Sequence, residues 1–380
     1  MKKIIAVIIA VCLVMSTGIT ALAEDKKVTS DELMTEIQGA VDYLSKESYT
    51  VDDALELYYL VSSGAEVVKN VDSFAAAVKE NLRANGGKLV TSNGETLTAY
   101  AAAILIMLNI DIEDEETFLT LLDNFSKMDP TVLPASPYEY NVIIPASIFV
   151  EDESFGKTLC DTLIENYYEK GSGMNYYGFG CDNTAYLISS LSTYSDDYEE
   201  VISDCLAVLE TYKVDGGYCF NKEYGTEPNA DSTALALMAL CSVYFSSDID
   251  DSDAIKEACD NAYSDLTNFR GSAAGVYTYM NDGDNTFATA DALRGISLYY
   301  TVVAIDELLS GLDEDDLDEN AEISKEETTS KIDKTEKEST EKTDTQKKSP
   351  ATGDNIFGIA FGAAFCVAAL AVITAKKKES

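Results

Sequence analysis

The sequence predicts an all-α fold: six helical hairpins closed into an (α/α)6 toroid, an inner ring of helices wrapped by an outer ring. Three observations carry that expectation. First, a turn bearing glycine and often tyrosine, followed by Thr-Ala and an apolar run, recurs along the chain. It stands at Asn85-Gly86-Gly87 to Thr98-Ala99, Gly171-Ser172-Gly173 to Thr184-Ala185, Asp215-Gly216-Gly217 to Thr233-Ala234 and Arg270-Gly271 to Thr289-Ala290. Self-similarity in units of this size marks a repeat architecture. Second, charged amphipathic segments alternate with nearly uniformly apolar ones, and a helix apolar all round must be buried. Third, no stretch shows a convincing period-two alternation of a half-buried strand.

The elements follow in order. The interval from Thr98 to Thr184 is about twice the later ones, so one unit is hidden there, and Tyr140-Asn141-Val142-Ile143-Ile144 fills it. Ahead of the series, Thr50-Val51-Asp52-Asp53-Ala54-Leu55 opens another helix. The hairpins pair 31–46 with 51–62, 71–84 with 95–109, 114–127 with 140–150, 155–169 with 182–194, 197–212 with 229–246, and 250–269 with 287–310. In the first, Leu33, Ile37, Val41 and Leu44 form one stripe, and Ser30 is the expected N-cap. An open α-solenoid of the same hairpins is the alternative. Closure is preferred because the inner helices are too apolar to line an open groove.

Composition bounds the chemistry. The chain has 380 residues, 46% of them hydrophobic, and a formal net charge of −40. That charge argues against nucleic acid, whose phosphates need Lys and Arg. There is no His, which removes Ser-His-Asp and Cys-His catalysis and every His-containing zinc site. No metal site and no cofactor is expected. Asp282-Gly283-Asp284-Asn285 lacks the remaining ligand positions of an EF-hand and reads as a turn. Arginine occurs only as Arg83, Arg270 and Arg294. In the globular part, Cys160, Cys181, Cys205, Cys219, Cys241 and Cys259 allow two readings, buried thiols or at least one disulfide, with Cys181 and Cys219 both lying just before inner helices.

The two ends lie outside the toroid, which is assigned to 24–312. Lys2-Lys3, the apolar Ile4–Met15 and Ala21-Leu22-Ala23 read as a secretory signal peptide over 1–23, cleaved between Ala23 and Glu24. From 313 to 348 the composition is dominated by Glu, Lys, Ser, Thr and Asp, with no aromatic residue and almost no aliphatics, which fits an extended charged linker. Residues 349–380 hold Ser349-Pro350-Ala351-Thr352-Gly353, an uncharged span at 356–375 long enough to cross a bilayer, and Lys376-Lys377-Lys378. This order resembles the cell-wall sorting signal of Gram-positive surface proteins, with Ser349 where the LPxTG-type motif has Leu. The resemblance implies that a sortase cuts between Thr352 and Gly353 and joins Thr352 to peptidoglycan, after transient residence in the membrane. A plain C-terminal membrane anchor is the alternative.

A second resemblance covers the toroid. Asp215-Gly216-Gly217-Tyr218-Cys219-Phe220, then Tyr224-Gly225-Thr226-Glu227-Pro228, then Thr233-Ala234-Leu235-Ala236-Leu237-Met238-Ala239-Leu240, resembles a repeat of the squalene cyclase/protein prenyltransferase (terpenoid cyclase) superfamily. It implies an α/α toroid that takes its ligand at the inner-helix N-termini and central cavity. Where class II cyclases carry Asp-x-Asp-Asp, this chain has Asn229-Ala230-Asp231-Ser232, so Asp231 is the one proton-donor candidate. A literal Asp248-Ile249-Asp250-Asp251 falls between helices, where a turn is expected. Prenyl transfer would need a His that is absent.

Polar turns entering the inner helices should gather at one mouth of the toroid. They would present Asp52, Asp53, Tyr176, Tyr177, Asp182, Tyr218, Phe220, Asp231, Tyr277, Tyr279 and Asp291. Aromatic rims with a few carboxylates suit sugars or planar molecules. Three readings follow: a wall-anchored surface protein binding an extracellular small molecule or glycan; an extracellular enzyme, lyase or degenerate cyclase, with Asp231 as acid; or an adhesin or spacer whose cavity its own side chains fill. Each Asp also has an ordinary reading as an N-cap and each Tyr as repeat packing.

Overall fold

The first helix shows how local sequence starts each unit. Helix α1 (Ser30–Leu44) is capped by Thr29, one residue earlier than expected: Thr29 Oγ1 accepts from Glu32 N, and Glu32 reaches back to Thr29 N. This reciprocal capping box satisfies two otherwise orphaned donors. Leu33, Ile37, Val41 and Leu44 are buried on one stripe, as the spacing requires. The computed structural model describes residues 27–86, 88–92, 94, 108, 115–150, 152–246 and 252–310. Within them run α2 (Ala54–Ser62), α3 (Val71–Ala84), α4 (Glu115–Ser126), α5 (Tyr140–Ala146), α6 (Glu153–Tyr167), α7 (Cys181–Leu191), α8 (Ser195–Glu210), α9 (Ala230–Phe245), α10 (Ser252–Leu266) and α11 (Thr286–Ser310). The inner helix expected over 95–109 except Leu108, the Asp248–Asp251 motif, the cleavage positions Ala23, Glu24, Thr352 and Gly353, the linker and the 356–375 span lie outside the described residues. No described helix is long and apolar enough to cross a membrane.

Helices α5, α7, α9, α11 and α2 succeed one another as neighbours, and α8 and α10 back α7 and α9 from outside. In α9 every residue except Asp231 and Tyr244 is buried, each fully buried Leu or Val side chain contributing about 1.5–3 kcal/mol. The outer helices α6, α8 and α10 thus each pack on the inner helix of the preceding hairpin. Helix α1 follows the same rule by packing on α11, so the last hairpin meets the first in register. The seam is close. A Cβ at Gly39 would collide with the Ala274 carbonyl, and one at Gly275 with the Glu36 carbonyl. The carboxylate of Glu36 accepts from Tyr277 Oη at 2.7 Å and Tyr263 Oη at 3.1 Å, and it pairs with Arg270. Lys27 pairs with Asp306, and Ser30 N donates to Glu307 at 3.1 Å.

The expectation of no strands needs correcting. Two minimal antiparallel hairpins precede inner helices: β1 (Tyr168–Glu169) with β2 (Gly173–Met174), and β3 (Lys213–Val214) with β4 (Gly217–Tyr218). Strands of two residues are too short to print an alternation in sequence. Their turns depend on glycine, with Gly216 and Gly217 at φ +86° and +142°. The six cysteines of the described residues are all buried free thiols.

Candidate functional site

The repeat builds its mouth from one recurring three-residue step after each turn. In Met174-Asn175-Tyr176, Tyr218-Cys219-Phe220 and Tyr277-Thr278-Tyr279, the middle N–H donates back to Tyr167, Tyr212 and Phe269 carbonyls at 2.8, 3.0 and 2.8 Å. Extended backbone sends alternate side chains to opposite faces. Met174, Tyr218 and Tyr277 are therefore core residues, while Tyr176, Phe220 and Tyr279 stay half-buried beside the inner-helix N-termini. Their carbonyls close the step: Tyr176 O accepts from Asn183 Nδ2, Phe220 O from Cys181 N, and Tyr279 O from Ala230 N, each at 3.0 Å. The repeated Thr locks it from behind. Thr233 Oγ1 accepts from Tyr218 N at 3.0 Å and donates to Asn229 O at 2.7 Å, and Thr289 Oγ1 accepts from Tyr277 N at 3.0 Å.

This geometry corrects four of the expected positions. Tyr218 and Tyr277 do not present rings at the mouth; they sit between the two layers, Tyr277 holding Glu36 at the seam. Asp53 caps its own turn, accepting from Thr50 N at 2.7 Å and pairing with Lys46 at 2.8 Å. Asp52 is exposed and accepts from Ser92 N at 3.2 Å. Tyr177, by contrast, is 92% exposed, with its ring 4.4 Å from that of Tyr176. Asp284 of the acidic turn accepts from Ser272 N at 2.8 Å, as a turn residue does.

Three of the expected carboxyls, Asp182, Asp231 and Asp291, lie close enough to feel one another's charge. Asp182 and Asp231 take the same register position, two before the repeated Thr, in α7 and α9; Asp291 lies two after it in α11. Each is only partly accessible to solvent. Burial pushes the Asp182 carboxyl up to about 7, opposed by a 2.6 Å hydrogen bond from Ser232 Oγ and reinforced by the charge of Asp291. Burial also pushes Asp231 up to about 7, with the charges of Asp291 and Asp182 adding to it and Arg294 opposing. Burial raises Asp291 as well, against the pull of Arg294. Asp231 Oδ1 is buried without a hydrogen-bond partner.

Around these acids stand residues that the repeat did not single out. Arg294 bonds Asp291 at 2.7 Å, touches the Tyr186 hydroxyl, and stacks 3.9 Å above the Tyr59 ring. Tyr138 donates to Asn183 Oδ1 and lies 4.5 Å from Tyr186 and 5.3 Å from Tyr176. Burial raises its hydroxyl to about 12, and burial also lifts Tyr59. Tyr279 is raised by burial and then by the charges of Asp231 and Asp182 that it faces. One signal was available for Arg294: it is an arginine inside an inner helix otherwise dominated by apolar residues. Among the described residues, no group of His, Cys, Asp and Glu is placed to hold a metal ion.

No protein-family model and no curated protein matches the chain. Among solved structures, a polysaccharide lyase is similar over 75% of this chain and 99% of its own, at 12% identity and a TM-score of 0.51. A novel alpha-amylase from Clostridium perfringens aligns over 61% of this chain and 100% of its own, at 11% identity and a TM-score of 0.31, too low to carry an argument. The likeness to the lyase defines the class: a mostly helical α/α fold with a few short strands. Identity this low speaks to architecture alone.

Proposed function

We propose that this chain is an extracellular protein that binds a neutral carbohydrate at the mouth of a closed six-hairpin toroid. One observation carries the reading. Acids from the first turns of α7 and α9 and the second turn of α11 meet a wall of aromatic rings, and one buried carboxyl oxygen, Asp231 Oδ1, is left without a partner. Aromatic faces suit the apolar faces of sugar rings, and carboxyl groups suit their hydroxyls. The similar lyase acts on polysaccharide, which is compatible with a glycan partner here. Uronate elimination itself fits poorly. Its anionic substrate would meet Asp182, Asp231 and Asp291, whereas Arg294 is already engaged by Asp291.

A second reading has its own support. A carboxyl near 7 is partly protonated at neutral pH and suited to general-acid work. Asp231, with Asp182 beside it, would then protonate a glycosidic oxygen or an alkene. Native mass spectrometry of residues 24–348 with cobalamins, isoprenoids, and neutral and acidic oligosaccharides separates the readings. A retained, unaltered neutral sugar released by Asp231→Ala supports binding. A ligand returned with changed mass makes the protein an enzyme. Adducts only with acidic sugars, isoprenoids or cobalamins would sink the carbohydrate reading, and no adduct would favour a filled toroid acting through its outer surface.

We further propose export and wall attachment, supported by the paired signals at the two ends of the sequence. Muramidase should release the native chain from cells, and Thr352→Ala should leave it in the membrane fraction. Equal release of both would reject sortase attachment at that position.

A further inference from the structure

Resting on the carbohydrate reading, we infer that the ligand is a polymer, and that its chain leaves the cavity across an aromatic platform on the rim of hairpins four to six. The platform consists of Tyr177, Tyr224, Met280 and Phe287, which are 92, 55, 43 and 79% exposed. All lie in turns that enter inner helices or in the first turn of one. Phe287 takes the register position that Asp182 and Asp231 hold in their hairpins, two before the repeated Thr. Large apolar side chains this exposed gain little from folding.

Tyr177 gives a second, independent reason. It is a non-glycine residue at φ +54°, a region that costs a bulky side chain energy, and nearly all of its surface is in water. Neither folding nor packing explains an aromatic ring held there. Continuity with the cavity identifies what covers the strip. The Tyr177 ring lies 4.4 Å from half-buried Tyr176, and the Tyr224 ring 6.0 Å from Phe220. The two turns also abut, since a Cβ at Gly178 would lie 3.5 Å from the Tyr224 hydroxyl. A molecule bound inside and reaching outward meets these rings next, and a string of sugar rings offers each one a stacking partner. A monosaccharide would never touch them.

The experiment compares disaccharides with longer oligomers of the same neutral sugars, by calorimetry on the full chain in detergent. The double variant Tyr177→Ala, Tyr224→Ala should bind disaccharide like the native chain and long oligomers about tenfold more weakly. Tyr177→Gly should leave Tm unchanged or raise it, because glycine accepts positive φ. Equal native affinity for short and long oligomers, or a length gain that survives in the double variant, would overturn the platform and leave the cavity reading standing. Binding of no sugar at any length would overturn both.

Discussion

Two buried clusters of this molecule are built from the same parts and do opposite things. At the seam, Glu36 meets Arg270, Tyr263 and Tyr277. At the mouth, Asp182, Asp231 and Asp291 meet Arg294, Tyr59 and Tyr186. In the seam both oxygens of one carboxylate are used, Oε1 by Tyr263 and Arg270 and Oε2 by Tyr277. At the mouth, Asp291 bonds the one guanidinium and Asp231 only feels its charge, Asp182 and Asp231 are pushed up to about 7, and one oxygen is unpartnered. A satisfied network stabilises a single structure, whereas an unsatisfied one is costly unless a ligand completes it. The difference separates closure from function more sharply than burial does.

Variants test that contrast, the largest effect first. Gly275→Ala places a methyl group against the Glu36 carbonyl at a residue with φ +74°. It should destabilise by about 3–5 kcal/mol and open the seam, read as a lower urea midpoint. Glu36→Gln leaves Arg270 without its counter-ion. With Arg270 half-exposed to solvent screening, the loss should be about 2 kcal/mol in the same measurement. At the mouth the sign reverses. The folded-state pKa of Asp231 lies above its ordinary value of 3.8, so its cost is absent below about pH 4 and complete above about pH 7. Native stability should therefore fall as pH rises through that window. Asp231→Asn should make the profile shallower, with the slope due to Asp182 and Asp291 remaining, and be as stable as the native chain, or more stable by on the order of 1–2 kcal/mol, at pH 8. A loss at pH 8 matching that of Glu36→Gln would mean the two clusters are alike. The smallest effect should come from Tyr279→Ala, which should change stability by less than about 1 kcal/mol while weakening glycan binding. A drop of several kcal/mol would return Tyr279 to the core beside Tyr277.

Much of this was legible in the chain. The helix stripes, the Thr-Ala register and the hidden third hairpin at Tyr140 follow from spacing, and Asp182, Asp231 and Asp291 were found because repeats put equivalent residues at one end. The places of Tyr218 and Tyr277 were hidden because the extended backbone before their inner helices amounts to a two-residue strand at Tyr218 and a single bridge at Tyr277. A period-two alternation that short cannot be told from a turn, so both members of each aromatic pair seemed to face outward. Asp53 was overread for a different reason: a capping carboxylate and a ligand carboxylate look the same until the Thr50 N–H and Lys46 appear beside it.

What the sequence by itself determined is local: which segments coil, where each helix starts, and which face is apolar. These depend on residues three or four apart and on caps that touch their own helix. Only the tertiary structure decided that Glu36 would meet Arg270 and Tyr277, that Arg294 would lie over Tyr59, and that carboxyls from three hairpins would share one space. Those pairs are separated by roughly the length of one repeat or of the whole ring. No local pattern encodes them; they come together only when the inner helices pack side by side and α1 docks on α11.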